Sequence, residues 1–410
     1  PDDTTWRLHI REGVTFHDGR PLTPADVVAS IERARTTRVV GHQLVEIESI
    51  REVEDRTVEI KTDLPAPLLL TRLEAVAIVP RDFDPQIPVG TGPYAWRVGS
   101  VQGPVLLERW DGYWGEHPEF EEVSIQFISS QEELAVLIHQ KRLDVISSVT
   151  RSDIRDHEPL ESWRVTAFPV AATTYLGLNV AEPPLADRRV RRAIDLAIDR
   201  PALVSVAFPE GLARPARSLV SPAVFGFSPE HRRSGVDLDR ARQLLRESGV
   251  REGTPLRLEY AGLYDEVAPL VQKALDQIGL VAVPEELPFE TFYRRLEEAA
   301  SQMFIFRWNF SVADASPFLD AIVHSRDPAR GLGTLNGAAL SDPVLDDAIE
   351  LAAHESRSDV RLQRLQEVLQ QVSDHYVYLP LYHPSVTTLI REPFILDNRQ
   401  VRPQDVHLRR

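Results

Sequence analysis

Trp6, Leu8 and Ile10 alternate with Arg7, His9 and Arg11, the two-residue period of a strand with one buried face. Residues 6–35 read on from there as strand, turn, strand and capped helix. Asp18-Gly19 is a tight-turn pair, because Gly takes positive φ without a Cβ clash. Thr23 is placed as an N-cap, Pro24 suits the first helical position, and Asp26 complements the positive helix end. Val27, Val28, Ile31 and Ala34 give that helix its apolar side.

The same rhythms recur down the chain. Val45, Ile47, Ile50, then Val58 and Ile60, predict two strands joined by a polar turn at 54–56. A short helix is expected over 68–73, strands over 94–98, 104–110 and 123–128, a helix over 131–142 and a strand from Val145. From Thr174 the pattern is strand and then helix, with Val190, Ile194, Ala197 and Ile198 on one helical face. Helices over 237–248 and 264–278 each stop at a Gly, 249 and 279, and each is followed by a strand. A helix at 290–299 leads to strand MFIFR at 303–307 and the loop from Trp308 to Leu319. Helices over 341–353 and 359–373 and a strand over 377–382 complete the reading. Strands alternating with helices indicate an α/β protein. At 410 residues the chain is too long for one compact core, so two or three domains are expected.

Composition narrows the function classes. A formal charge of −16 opposes nucleic-acid binding, which needs clustered basic surface. With no cysteine there is no disulfide, thiolate nucleophile or Cys-based metal site. No run of 18 apolar residues is present to form a spanning helix.

Few motifs hold up as chemistry. GTGPY at 90–94 imitates the start of a dinucleotide loop, but Pro93 removes a backbone amide and a strand follows instead of a helix. It is read as a structural turn, with Tyr94 as a ligand-site candidate. His17-Asp18 and His354-Glu355 lack HExxH spacing, so no metal site is expected from them. There is no GxSxG elbow. Arg188, Arg189, Arg191 and Arg192, with Asp187 and Asp195 beside them, read as a solvated helical face with intrahelical ion pairs.

The segment from Trp6 to Arg35 resembles the signature of the peptide- and nickel-binding family of extracellular solute-binding proteins of ABC transporters. Leu8, Val14, Phe16, Asp18, Gly19, Pro21, Leu22, Asp26, Val27, Ser30 and Arg33 fall on its pattern, with Ile10-Arg11 in place of a Leu-Arg pair. GTGPY at 90–94, LNVAEPPLADRRVRRAIDLAIDR at 178–200 and YLPLY at 378–382 extend the resemblance along nearly the whole chain.

The resemblance implies a two-lobed, periplasmic-binding-protein-like clamshell of mixed sheets flanked by helices, with an extra α+β subdomain in lobe I. Residues 1–88 would form that subdomain, 89–176 with 384–410 the rest of lobe I, and 177–383 lobe II. Relatives of this kind continue for several dozen residues ahead of the signature, so the chain is expected to be N-terminally truncated. The implied function is capture of a small solute, peptide-like or otherwise polar, in the inter-lobe cleft for an ABC permease. It requires no catalysis, cofactor or metal, and a monomer that is periplasmic or extracellular, with or without a lipid anchor. The alternative is a ligand-sensing effector domain of a cytoplasmic transcription regulator with the same fold.

By the same resemblance the ligand loop is the one after MFIFR. Peptide-binding relatives keep a Trp at this strand end, and three residues later an aspartate that anchors the ligand ammonium. Here Trp308 is kept, Ser311 stands at the ammonium-binding position, Asp314 falls on a second acid and Ala315 replaces a proline. A buried ammonium without a carboxylate loses a charge-assisted bond and keeps its desolvation cost. The candidate ligand residues are Trp308, Asn309, Ser311, Asp314, Tyr175 and Tyr94; Arg307 is assigned to the surface.

Overall fold

The computed structural model describes residues 3–37, 40–41, 44–54, 56–98, 104–128, 130–147, 162–208, 212–230, 235–264, 266–397 and 407–409. Asp55 of the expected turn and Asp265 of the expected helix lie outside them. The chain divides into two compact units, residues 1–142 with 354–356, and residues 143–353 with 357–410.

In the first unit, strand β1 (Thr5–His9), helix α1 (Pro24–Arg35), β2 (Ile47–Glu54) and β3 (Thr57–Thr62) build one layer on another. The sheet order is β1-β3-β2, all antiparallel. Val27, Ile31 and Ala34 of α1 pack with Val58 and Ile60 of β3. The helix starts where the sequence places it: the Thr23 amide donates to the Asp26 carboxylate at 3.0 Å, closing the first turn. The expected second strand is reduced to a single bridge between Thr15 and Pro21 around the Asp18-Gly19 turn. Five residues lie between those partners, and Pro21, which has no N–H to donate, limits the ladder there. A short helix α2 (Leu69–Leu73) follows, then the antiparallel sheet β4 (Tyr94–Val98), β5 (Val105–Arg109) and β6 (Glu122–Ile125), and helix α3 (Gln131–His139).

The second unit opens with β7 (Val145–Ser147), β8 (Trp163–Pro169) and β9 (Ala172–Leu178). Helices α4 (Arg188–Ala197) and α5 (Arg200–Ala207) lead to the short β10 (Ala213–Pro215). Next come α6 (Leu238–Ser248), β11 (Thr254–Tyr260), α7 (Ala268–Asp276), β12 (Leu280–Glu286), α8 (Phe289–Glu297) and β13 (Met303–Asn309). After helices α9 (Pro343–Ala353) and α10 (Ser358–His375), the long strand β14 (Tyr378–Arg391) precedes the hairpin partners β15 (Ile395–Asp397) and β16 (His407–Arg409).

The central sheet runs β10-β14-β9-β13-β11-β12, with β7 and β8 also paired to β14. It is mixed: β11 lies parallel to β12 and β13, while β9 runs antiparallel to β13 and β14. Strand β14 continues without interruption through the expected domain boundary at 383–384, pairing with β9 on one side of it and β8 on the other.

Alternation along the strands sends side chains into two cores. Leu176, Leu178, Met303 and Ile305 join α4, α5, α6 and α7 on one face. Tyr175, Phe304 and Tyr378 join α8, α9, α10 and the helical turn Ser316–Val323 on the other. Gly177 makes this second core possible. It faces Phe304 in register, and a Cβ there would sit 2.1 Å from the Phe304 ring.

One expectation is corrected here. Arg191 of α4 is buried, not solvated. Its guanidinium donates to the carbonyls of Leu185 at 2.8 Å, Ala186 at 3.0 Å and His375 at 2.8 and 3.0 Å. It bolts α4 to the C-terminal end of α10, where helix carbonyls lack intrahelical donors. Arg189 does behave as expected, paired with Asp187 at the surface.

Candidate functional site

The loop after β13 is fixed by hydrogen bonds at both ends. Trp308 pairs with Thr173 of β9 and Asn309 with Ala172, and the Phe310 amide donates to the Ala171 carbonyl at 2.7 Å. The chain then turns through Ala313, whose φ is +50°. A segment from residues 219–225 clamps it: the Phe225 amide donates to Ala313 at 2.8 Å, and the Ala315 amide to Phe225 at 3.1 Å.

Asp314 is the anchor of this turn. It is 3% exposed, and Arg361, reaching in from α10, is 4% exposed. The guanidinium grips both carboxylate oxygens at 2.6 and 2.9 Å and also donates to Ser316 Oγ at 2.7 Å. Asp314 additionally accepts from the Ser316 amide at 2.9 Å, starting the helical turn that follows. The Phe225 ring covers the guanidinium carbon at 5.3 Å. Both carboxylate oxygens of Asp314 are thereby engaged by protein donors, so the carboxylate is committed to holding the loop.

Around that anchor the other candidates separate. Ser311 and Asn309 are exposed on the loop. Trp308 is partly buried, with its ring edge-on to Phe318 at 6.2 Å between centroids, and its indole Nε1 is buried without a partner among the described residues. Tyr175 is fully buried, ringed edge-to-face by Phe304, Phe306, Phe318 and Tyr378 at 5.4–6.4 Å. Burial pushes its phenol pKa well up, and the hydroxyl has no partner among the described residues. Arg307 is partly buried, with Nε 3.4 Å from Thr174 Oγ1.

Tyr94 lies in the first unit, opposite Arg109 on β5. Its hydroxyl donates to the Phe120 carbonyl at 2.9 Å, and burial raises its pKa. The neighbouring GTGPY turn is tied down by His17. The Gly90 amide donates to Nδ1 at 3.2 Å and Nε2 donates to the Gly92 carbonyl at 3.0 Å. Among the described residues, no group of three or more His, Asp and Glu side chains is placed to hold a metal ion.

Two residues of the neighbourhood escape a sequence reading. Arg361 sits at the spacing of Leu365, Val368 and Val372, on the buried side of α10. An arginine in an apolar stripe is itself the signal, since a buried guanidinium needs a partner. His383 follows the expected end of the last strand. Its Nδ1 lies 3.1 Å from Thr173 Oγ1 and 3.3 Å from the Ala172 carbonyl. Burial holds its imidazole down to about 4.

The chain is similar to solved and sequenced proteins over most of its length. It superposes on the ABC transporter substrate-binding protein CtaP of Listeria monocytogenes with a TM-score of 0.85, at 19% identity, covering 96% of this chain and 84% of that one. The Escherichia coli glutathione-binding protein GsiB is 25% identical over 91% of this chain and 77% of its own length. The E. coli dipeptide-binding protein is 21% identical over 77% of this chain and 67% of its own. The model of the bacterial extracellular solute-binding proteins, family 5 Middle, matches residues 1–329. With its α/β fold shared with such proteins and most of its length on that family model, the chain belongs to family 5 of the bacterial extracellular solute-binding proteins.

Proposed function

We propose that this chain is the solute-binding component of an ABC importer, which captures one small polar solute outside the cytoplasm and delivers it to a membrane permease. The observation that carries the reading at residue level is the loop Trp308–Ala315. An aromatic and two exposed polar residues, Asn309 and Ser311, are presented on a turn locked by the buried Asp314–Arg361 pair. Preorganised contacts of this kind cost little ordering entropy when a solute arrives. Binding drives delivery only through a difference in affinity between two conformations of the protein. Moving a population from mostly one state to mostly the other takes roughly 5.5 kcal/mol of such preference.

The loop also bears on solute charge. Ser311 takes the place expected for an ammonium-binding aspartate, and the Asp314 carboxylate is spent on Arg361. No free carboxylate of the loop is left for a ligand ammonium, so the solute is read as one that does not depend on that contact. Isothermal titration with alanyl-alanine, comparing wild type and Ser311→Asp, tests this. Restored or markedly tighter binding in the variant is expected. Equal affinity in both proteins overturns the reading of Ser311.

A further inference from the structure

Register places four side chains in one row across four adjacent strands of the second unit. Trp308 of β13 faces Thr173 of β9. Thr173 Oγ1 meets His383 Nδ1 of β14 at 3.1 Å, and His383 faces Arg214 of β10. Paired residues of an antiparallel ladder project to the same side, so the row reads aromatic, hydroxyl, imidazole, guanidinium. Thr173 is buried, His383 partly so, and Arg214 exposed.

The hydrogen bonding of His383 fixes what it offers. The Ala172 carbonyl can only accept, and a hydrogen on Nδ1 serves it at 3.3 Å and Thr173 Oγ1 at 3.1 Å together, so that tautomer is assigned to the ring. Nε2 is then a bare acceptor, and it makes no hydrogen bond among the described residues. Burial keeps the ring neutral down to about 4, which preserves that lone pair at ordinary pH. Beside it Arg214 makes no ion pair among the described residues. Adjacent strands are about 4.8 Å apart, so the backbone positions that carry acceptor and cation are one strand spacing from each other.

Resting on the solute-binding reading above, we infer that His383 and Arg214 form a polar subsite beside Trp308 for a carboxylate-bearing solute that also carries an N–H or O–H donor. The donor goes to His383 Nε2, the carboxylate to the Arg214 fork, and the Trp308 end of the row supplies apolar contact. Thr173 positions the imidazole.

Three probes separate the possibilities by titration calorimetry: N-acetyl-alanyl-alanine, which has a carboxylate and amide N–H groups but no ammonium; alanyl-alaninamide, which has an ammonium but no carboxylate; and glutathione. Wild type is expected to prefer N-acetyl-alanyl-alanine over alanyl-alaninamide. Arg214→Gln and His383→Phe are each expected to weaken that binding tenfold or more, with His383→Gln, which keeps an acceptor, losing less. Arg214→Gln is a surface change and reads out the subsite even where His383→Phe perturbs folding. If wild type binds alanyl-alaninamide or glutathione with an affinity that Arg214→Gln and His383→Phe leave unchanged, the subsite is wrong while solute binding stands. If it binds none of the three, the carboxylate assignment fails; native mass spectrometry for a co-purified solute then decides whether the solute-binding reading fails with it.

Discussion

Replacing Arg361 by Met strips one partner from a pair in which both side chains are almost wholly out of water, at 5% and 4% exposure. The change removes two bonds to Asp314, at 2.6 and 2.9 Å, and one to Ser316 at 2.7 Å, leaving a buried carboxylate that keeps the Ser316 amide as a donor. Breaking a buried ion pair from one side costs about 3–5 kcal/mol, because the remaining charge keeps its desolvation penalty. Asp314→Asn leaves the cation stranded instead and is expected to cost about as much. The double variant removes both charges, so it is expected to be more stable than the sum of the singles implies, by about 0.5–3 kcal/mol of coupling. Urea unfolding of the four proteins, followed by far-UV circular dichroism, gives the cycle. A loss below about 1 kcal/mol in the single variants, the size of an exposed ion pair, would refute the argument, as would strict additivity.

Three further outcomes follow from the same structure. His383 has its pKa lowered from 6.5 to about 4 by burial, so the unfolded chain takes up its proton first as pH falls. Its contribution is complete above about 6.5 and is lost between 6.5 and 4, by at most about 3 kcal/mol; His383→Phe should flatten stability against pH over that interval and nowhere else. Gly177→Ala puts a Cβ 2.1 Å from the Phe304 ring, an overpacking expected to cost about 3 kcal/mol, and Phe304→Ala in the same chain should recover part of the loss in thermal denaturation. Phe318→Ala opens the aromatic cluster that Trp308 and Tyr175 share; a loss of about 3–5 kcal/mol is expected, with the Trp308 emission shifted towards longer wavelength.

Periodicity made most of this architecture legible. The αβ units at 238–286 stood out because apolar spacing and terminal glycines agree, and Gly249 does take the left-handed cap, at φ +77°. The family was legible because its signature residues are spread along the chain and include turn and cap positions that tolerate few substitutes. What stayed hidden depends on tertiary partners. Strand β8 has no clean alternation and is defined by pairing with β14. The extension of β14 past His383 and Pro384 runs against local punctuation signals, and pairing with β7, β8 and β10 overrides them. At the site, Trp308, Ser311 and Asp314 were visible as a loop, but the partner of Asp314 lies 47 residues away on another helix. Local sequence cannot distinguish a carboxylate offered to a ligand from one already gripped by an arginine. Arg191 misled for the same reason, its carbonyl partners at His375 being remote in sequence.

Whether the chain captures a solute without altering it is read by native mass spectrometry of the freshly purified protein, repeated after unfolding, dialysis and refolding. A small solute is expected bound one to one and released chemically unchanged, and its re-addition at a hundredfold excess over its Kd should raise the unfolding free energy by about 2.7 kcal/mol. A solute that returns altered, or a chain that carries no solute and is stabilised by neither peptides nor glutathione, would contradict that expectation.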